Sequence, residues 1–145
     1  MTDPDPNEML DKLTEQLQSR IDEEEAEVYS ERTLEEARHP SNFGPMEHAD
    51  ATARRTGTCG DTMEMFVKVE ADRLVGITFV TDGCGATLAC GSMLTKMAKG
   101  LTVEEAMAIT EDDLLERLDG LPEDNLHCAH LAIGTLHGTV NTLRS

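Results

Sequence analysis

Three cysteines stand where a thiolate could do chemistry, each in a glycine-bracketed turn or at the start of a predicted helix. Cys84 lies in residues 81–91 (TDGCGATLACG), where Gly83 and Gly85 leave the backbone bare on either side of it. A bulky ligand can approach such a backbone closely, with N–H groups turned toward it. The helix expected to follow adds the positive end of its dipole, which lowers a thiol's pKa and favours the thiolate, the form that binds metal or attacks sulfur. Cys59 lies in TCGD, where Gly60 lets Cys59 and Asp61 turn toward one site, and Cys128 follows His127 directly in LHCAH. Three soft thiolates with an imidazole and a carboxylate suit Zn²⁺ or an iron–sulfur cluster. A permanent cluster carrier offers four thiolates, whereas a harder oxygen or nitrogen ligand in fourth place suits a cluster that is built and then released. Spacing alone leaves the zinc site open.

The remaining candidates read as packing. Cys90 shares a helical stripe with Ala86, Met93 and Met97 and belongs to the core, because six residues of helix carry it away from Cys84. His130 and His137 share one face with Gly134 and read as surface or packing residues. Gly134 and Gly138 suggest a neighbouring helix in close approach.

The elements that must position the set follow from periodicity. Residues 50–57 suggest a short strand and 58–61 a turn. The alternation in 63–70 (MEMFVKVE) predicts a half-buried strand, and after a short connection at 71–73 the run 74–81 (LVGITFVT) returns antiparallel and delivers the chain to Cys84. Cys59 and Cys84 are thus expected at one end of a small three-stranded sheet. Helices follow over 86–99, from a capping box at Thr102 to Ile109, from Thr110 to Leu118, and over 126–143, where Leu126, Ala129, Ile133, Leu136, Val140 and Leu143 repeat at threes and fours. A helix over 28–38 is stopped by Pro40, and Phe43 in the loop after it is expected to anchor in the core. The class is α+β. Residues 1–27 form an acidic helical extension in which Leu10, Leu13, Leu17 and Ile21 make an apolar stripe, and 28–145 is a single domain.

Composition sets the partners. The 145 residues carry a formal charge of −17, which argues against nucleic acid and anionic membrane surfaces. The acid is uneven: from Asn125 onward there is none, so the His-rich C-terminal segment escapes the field that covers the rest. The N-terminus lacks the basic and apolar regions of a signal peptide, no apolar run approaches membrane-spanning length, and reduced cysteines in a cytoplasmic setting are expected.

TCGD at 58–61, DGCGA at 82–86 followed by a small-residue helix, and LHC at 126–128, preceded by HPSNFG at 39–44, resemble the signatures of the IscU/NifU-type iron–sulfur cluster assembly scaffolds over roughly 28–143. The resemblance implies a non-enzymatic scaffold for a transient [2Fe–2S] cluster. Sulfur would come from a cysteine desulfurase, iron from a donor and electrons from a ferredoxin-like reductant, and the cluster would pass to apo-proteins. It carries the cluster and persulfide roles to Cys59, Cys84 and Cys128, a labilising role to Asp61, and a fourth-ligand role to His127. Zinc at the same site, either structural or shielding a sulfur-accepting thiol, is the alternative. Where the family carries an apolar, basic chaperone-recognition stretch, residues 121–125 read LPEDN, and the two acids disfavour an Hsp70-type groove. Residues 1–27 extend beyond the resemblance, and a docking role or a homodimer contact is open to them.

Overall fold

A computed structural model describes residues 29–58, 60–83 and 85–144; the amphipathic helix expected from Glu8 lies outside the described residues, as do Cys59 and Cys84. The elements run α1 (Glu31–Arg38), β1 (Ala51–Thr56), β2 (Thr62–Glu70), β3 (Arg73–Thr81), α2 (Gly85–Ala98), α3 (Val103–Met107), α4 (Glu111–Arg117), a 3₁₀ turn (Glu123–Asn125) and α5 (Leu126–Arg144). The fold is α+β: the strands form one antiparallel sheet in the order β1-β2-β3, and α2 and α5 cover it. Among the described residues no helix is long and apolar enough to cross a membrane.

β2 alternates as its sequence predicts, with Met63, Met65 and Val67 all fully buried. In β3 the period breaks. Leu74, Ile77 and Phe79 share the buried face although Leu74 and Ile77 are three apart, because the register slips between Lys68 and Val69: Lys68 pairs with Gly76 and Val69 with Leu74. Val75 is the extra residue of this bulge, and it is exposed. The β2–β3 connection is a two-residue turn with both Ala71 and Asp72 at positive φ, a conformation that matches the twist of a hairpin.

The helices are shorter than their patterns where a cap stops them. Ser30 accepts a hydrogen bond from Thr33 N, so α1 starts at Glu31 rather than at Val28. The Ser30 and Thr33 hydroxyls also donate to the Leu118 carbonyl, which ties the start of α1 to the end of α4. Thr102 and Thr110 each close a capping box, and that at Thr102 holds the Glu105 carboxyl below its usual range through the hydrogen bond from the Thr102 backbone N–H. α2 is buried almost all round, since it lies between the sheet, α1 and α5. α5 keeps Ala129, Ile133, Leu136 and Val140 buried as expected, but buries Leu131, Ala132, Thr135 and Thr139 as well, while Leu126 is exposed.

Two expectations are corrected. Phe43 is not in the core: half of it is exposed, and it meets Phe79 edge-on at 5.4 Å. The anchor is the backbone beside it, where Phe79 N donates to Asn42 O and Gly44 N donates to Phe79 O. Gly134 and Gly138 admit strand β1 rather than another helix. A Cβ on Gly134 would stand 2.6 Å from the Arg55 guanidinium, and one on Gly138 would touch Ala53.

Candidate functional site

The site forms where the open ends of β2 and β3 meet the first turns of α2 and α5. On one side, Gly57 N donates to Asp61 O and Gly60 N to Gly57 O, closing the turn that contains Cys59 and setting Asp61 just before β2. Gly60 has φ +92°, a conformation open to glycine and strained for a side chain. On the other side, Thr62 N donates to Asp82 Oδ1 at 2.7 Å, Thr81 Oγ1 to Thr62 O at 2.6 Å, and Gly83 N to Thr81 Oγ1 at 3.1 Å. These bonds clamp the two strand ends together.

Within this frame, a line of contacts runs from Asp61 to His127. Thr87, in the first turn of α2, lies 3.1 Å from Asp61 Oδ2 through its Oγ1, and 3.4 Å from Cys128 Sγ in the first turn of α5. His127 Nε2 is 3.6 Å from Cys128 Sγ. Thr87 and Cys128 are fully buried, and Asp61 and His127 are half-buried. Gly83 closes the group, since a Cβ there would fall 2.8 Å from Asp61 Oδ2 and 2.7 Å from Thr87 Cβ. Two helix N-termini therefore face the same few ångströms, and both favour an anion.

The structure thus brings together Asp61, His127 and Cys128 of the five residues singled out from sequence; Cys59 and Cys84 are outside the described residues. Among the described residues no three His, Cys, Asp or Glu side chains are arranged to hold a metal ion, so a complete ligand set would have to include Cys59, Cys84 or both. Cys90 is fully buried, in the second turn of α2 and three residues beyond Thr87. His130 pairs with Glu111 at 2.5 Å on the surface, and His137 Nε2 lies 3.1 Å from Ile109 O.

Thr87 escaped the sequence reading, which followed only the apolar stripe of α2. The available signal was its place three residues after Cys84, in the first turn of a helix. Its single proton serves one acceptor at a time. With Cys128 as a thiolate it can turn to sulfur; with the thiol protonated it can serve Asp61 while S–H donates to Oγ1. Thr87→Val keeps the shape and removes the hydroxyl. Losing a hydrogen bond of about 1.4 kcal/mol to the thiolate cuts its population about tenfold, partly offset by the greater nucleophilicity of a more basic sulfur. The alkylation rate of Cys128, read by peptide mass spectrometry, is expected to fall about threefold and to recover in Thr87→Ser. An unchanged rate would reduce Thr87 to packing.

The model of the NifU-like N terminal domain family matches residues 28–145. The chain is 40% identical over 114 residues to "Iron-sulfur cluster assembly scaffold protein IscU 1" of Archaeoglobus fulgidus, a match covering 78% of this chain and 74% of that one. It is 30% identical over 123 residues to the protein named as the IscU scaffold of Escherichia coli strain K12, covering 81% and 95%. Among solved structures, a putative iron-sulfur cluster assembly scaffold protein for the SUF system from Fervidobacterium islandicum superposes with a TM-score of 0.68 at 19% identity, over 80% of this chain and 98% of that one, which shows the shared fold.

Proposed function

Since the chain belongs to the NifU-like N-terminal domain family, we propose that it is an iron–sulfur cluster assembly scaffold, a carrier rather than an enzyme, working in a reducing, cytoplasmic setting. The single observation that carries the reading to this chain's own residues is the line Asp61–Thr87–Cys128–His127 at the meeting of two helix N-termini, flanked by the turns that hold Cys59 and Cys84. The donor set fits the cargo: thiolates of Cys59, Cys84 and Cys128 for iron, with Asp61 and His127 as exchangeable ligands.

The proposed cargo is a transient [2Fe–2S] cluster. A scaffold thiolate attacks the terminal sulfur of a desulfurase persulfide, and the desulfurase thiolate leaves. Two electrons from a ferredoxin-like reductant then release that sulfur as sulfide and restore the scaffold thiol. An iron donor supplies the metal, and the finished cluster passes to apo-proteins. Glu123 and Asp124 are exposed in the 3₁₀ turn just before α5, so an Hsp70-type chaperone would meet two carboxylates where it needs an apolar strand.

Anaerobic incubation with ferrous iron, cysteine, a cysteine desulfurase and a reductant is expected to give a coloured protein with iron and acid-labile sulfide in equal amounts. The same mixed sulfur, nitrogen and oxygen donors also suit tetrahedral zinc, either structural or shielding a sulfur-accepting thiol. A colourless protein that retains zinc, melts on chelation and takes up no sulfide would overturn the scaffold reading. A one-sulfur mass adduct on that colourless protein would point to the zinc-shielded acceptor.

A further inference from the structure

At the far end of α2 from the site, a groove of about 520 Å³ opens between α1, α2 and the end of α4. Its floor is Met93 and Met97, and its rim carries Arg32, Lys96 and Arg117, three of the chain's 12 Lys and Arg, with Glu35 beside them. Two of these cations, Arg32 and Arg117, are weakly committed. Arg32 reaches Asp119 only at 3.9 Å between exposed side chains, and Arg117 has no carboxylate within ion-pair distance among the described residues. Lys96 is paired with Glu36 at 2.6 Å, but Glu36 also accepts from Ser92, so the one buried acid of the groove is already satisfied. A flexible, apolar floor under a cationic rim is unusual on a protein of net charge −17, and it fits an acidic amphipathic helix.

The chain supplies such a segment. Residues 8–27 hold eight Asp and Glu against Lys12 and Arg20, with Leu10, Leu13, Leu17 and Ile21 on one stripe, and residues 22–27 read DEEEAE. They join the described chain just before Tyr29, which is buried, and Ser30, which caps α1 two residues before Arg32. The Ser30 cap ends the helix there.

We propose that residues 8–27 of the same chain dock in this groove, the leucine stripe on Met93 and Met97 and the acids on Arg32, Lys96 and Arg117. The tether does most of the work. A short link gives an effective concentration on the order of millimolar, so an intrinsic Kd on the order of 0.1 mM would leave the segment about nine-tenths docked. Met93 and Met97 lie eight and twelve residues beyond Gly85, about 12 and 18 Å along the helix, so docking leaves the candidate site open.

The test uses the full-length, metal-free, reduced protein. Amide exchange of residues 10–21 is expected to be slowed about tenfold, as nine-tenths docking requires, and the methyl signals of Met93 and Met97 to shift when salt is raised. Arg32→Glu with Arg117→Glu, both at exposed positions, should abolish the protection, and adding Glu23→Lys, Glu24→Lys and Glu25→Lys should restore it. Three results would overturn the proposal: unprotected exchange in the parent protein, protection indifferent to the two arginine reversals, or protection that rises with protein concentration, which would make the occupant a second copy. None of these readouts depends on cluster loading, so failure here leaves the scaffold reading untouched.

Discussion

Asp61→Ala is expected to lengthen the life of the loaded cluster at least about tenfold, a barrier raised by about 1.4 kcal/mol. Of the five proposed ligands Asp61 is the hardest donor, and a carboxylate holds a sulfide-bound iron less firmly than a thiolate does. It also has somewhere else to go, since Thr87 Oγ1 stands 3.1 Å from its Oδ2 and can take the carboxylate as it leaves the metal. Its charge adds to that of an anionic cluster, in a place so close that only a glycine fits at position 83 beside it. Removing it closes the exchange route and removes the repulsion together. The measurement is the anaerobic decay of visible absorption after free iron and sulfide are removed, with and without a chelator. Decay as fast as the parent's would end the labilising role. A zinc site gives the opposite sign, because the loss of one of four ligands weakens zinc retention.

Much of this arrangement could be read from sequence because it rests on period and punctuation. The alternation of 63–70 marked β2, the spacing of 126–143 marked α5, and the TCGD turn and the start of that last helix marked the places where Asp61 and Cys128 come to lie. What could not be read depends on pairing between distant segments. The bulge at Val75 follows from a register that β3 shares with β2, and no local window contains it. Ser30 and Thr33 resemble any helix start until the Leu118 carbonyl, more than 80 residues away, accepts from both. Gly134 looked like a seat for a helix because its spacing was helical, yet the group that fills the space is an arginine from β1. Thr87 was missed for a related reason: its value lies in bridging Asp61 and Cys128, which are 67 residues apart in sequence, 128 − 61.

Phe79→Ala is expected to cost about 3–5 kcal/mol, the range for emptying a buried aromatic site. Phe79 is fully buried on β3, its ring edge-on to Phe43 and its backbone bonded to Asn42 and Gly44. The ring also lies against α2 where Gly91 has no side chain: a Cβ there would stand 2.3 Å from Cε2. This contact sets the height of α2 over the sheet. β3 ends at Thr81 and α2 begins at Gly85, so it also helps fix where Thr87 meets Asp61. Thermal unfolding should show a fall of roughly 10–20 °C at this stability loss and chain size. Gly91→Ala alone should cost about 1–3 kcal/mol by overpacking. The double variant is the sharper test. The new methyl enters the space the ring vacates, so the double variant should be more stable than the sum of the single losses predicts, by about 1 kcal/mol or more. Strict additivity would mean that ring and helix do not share that space, and the account of how α2 is seated over the sheet would fail with it.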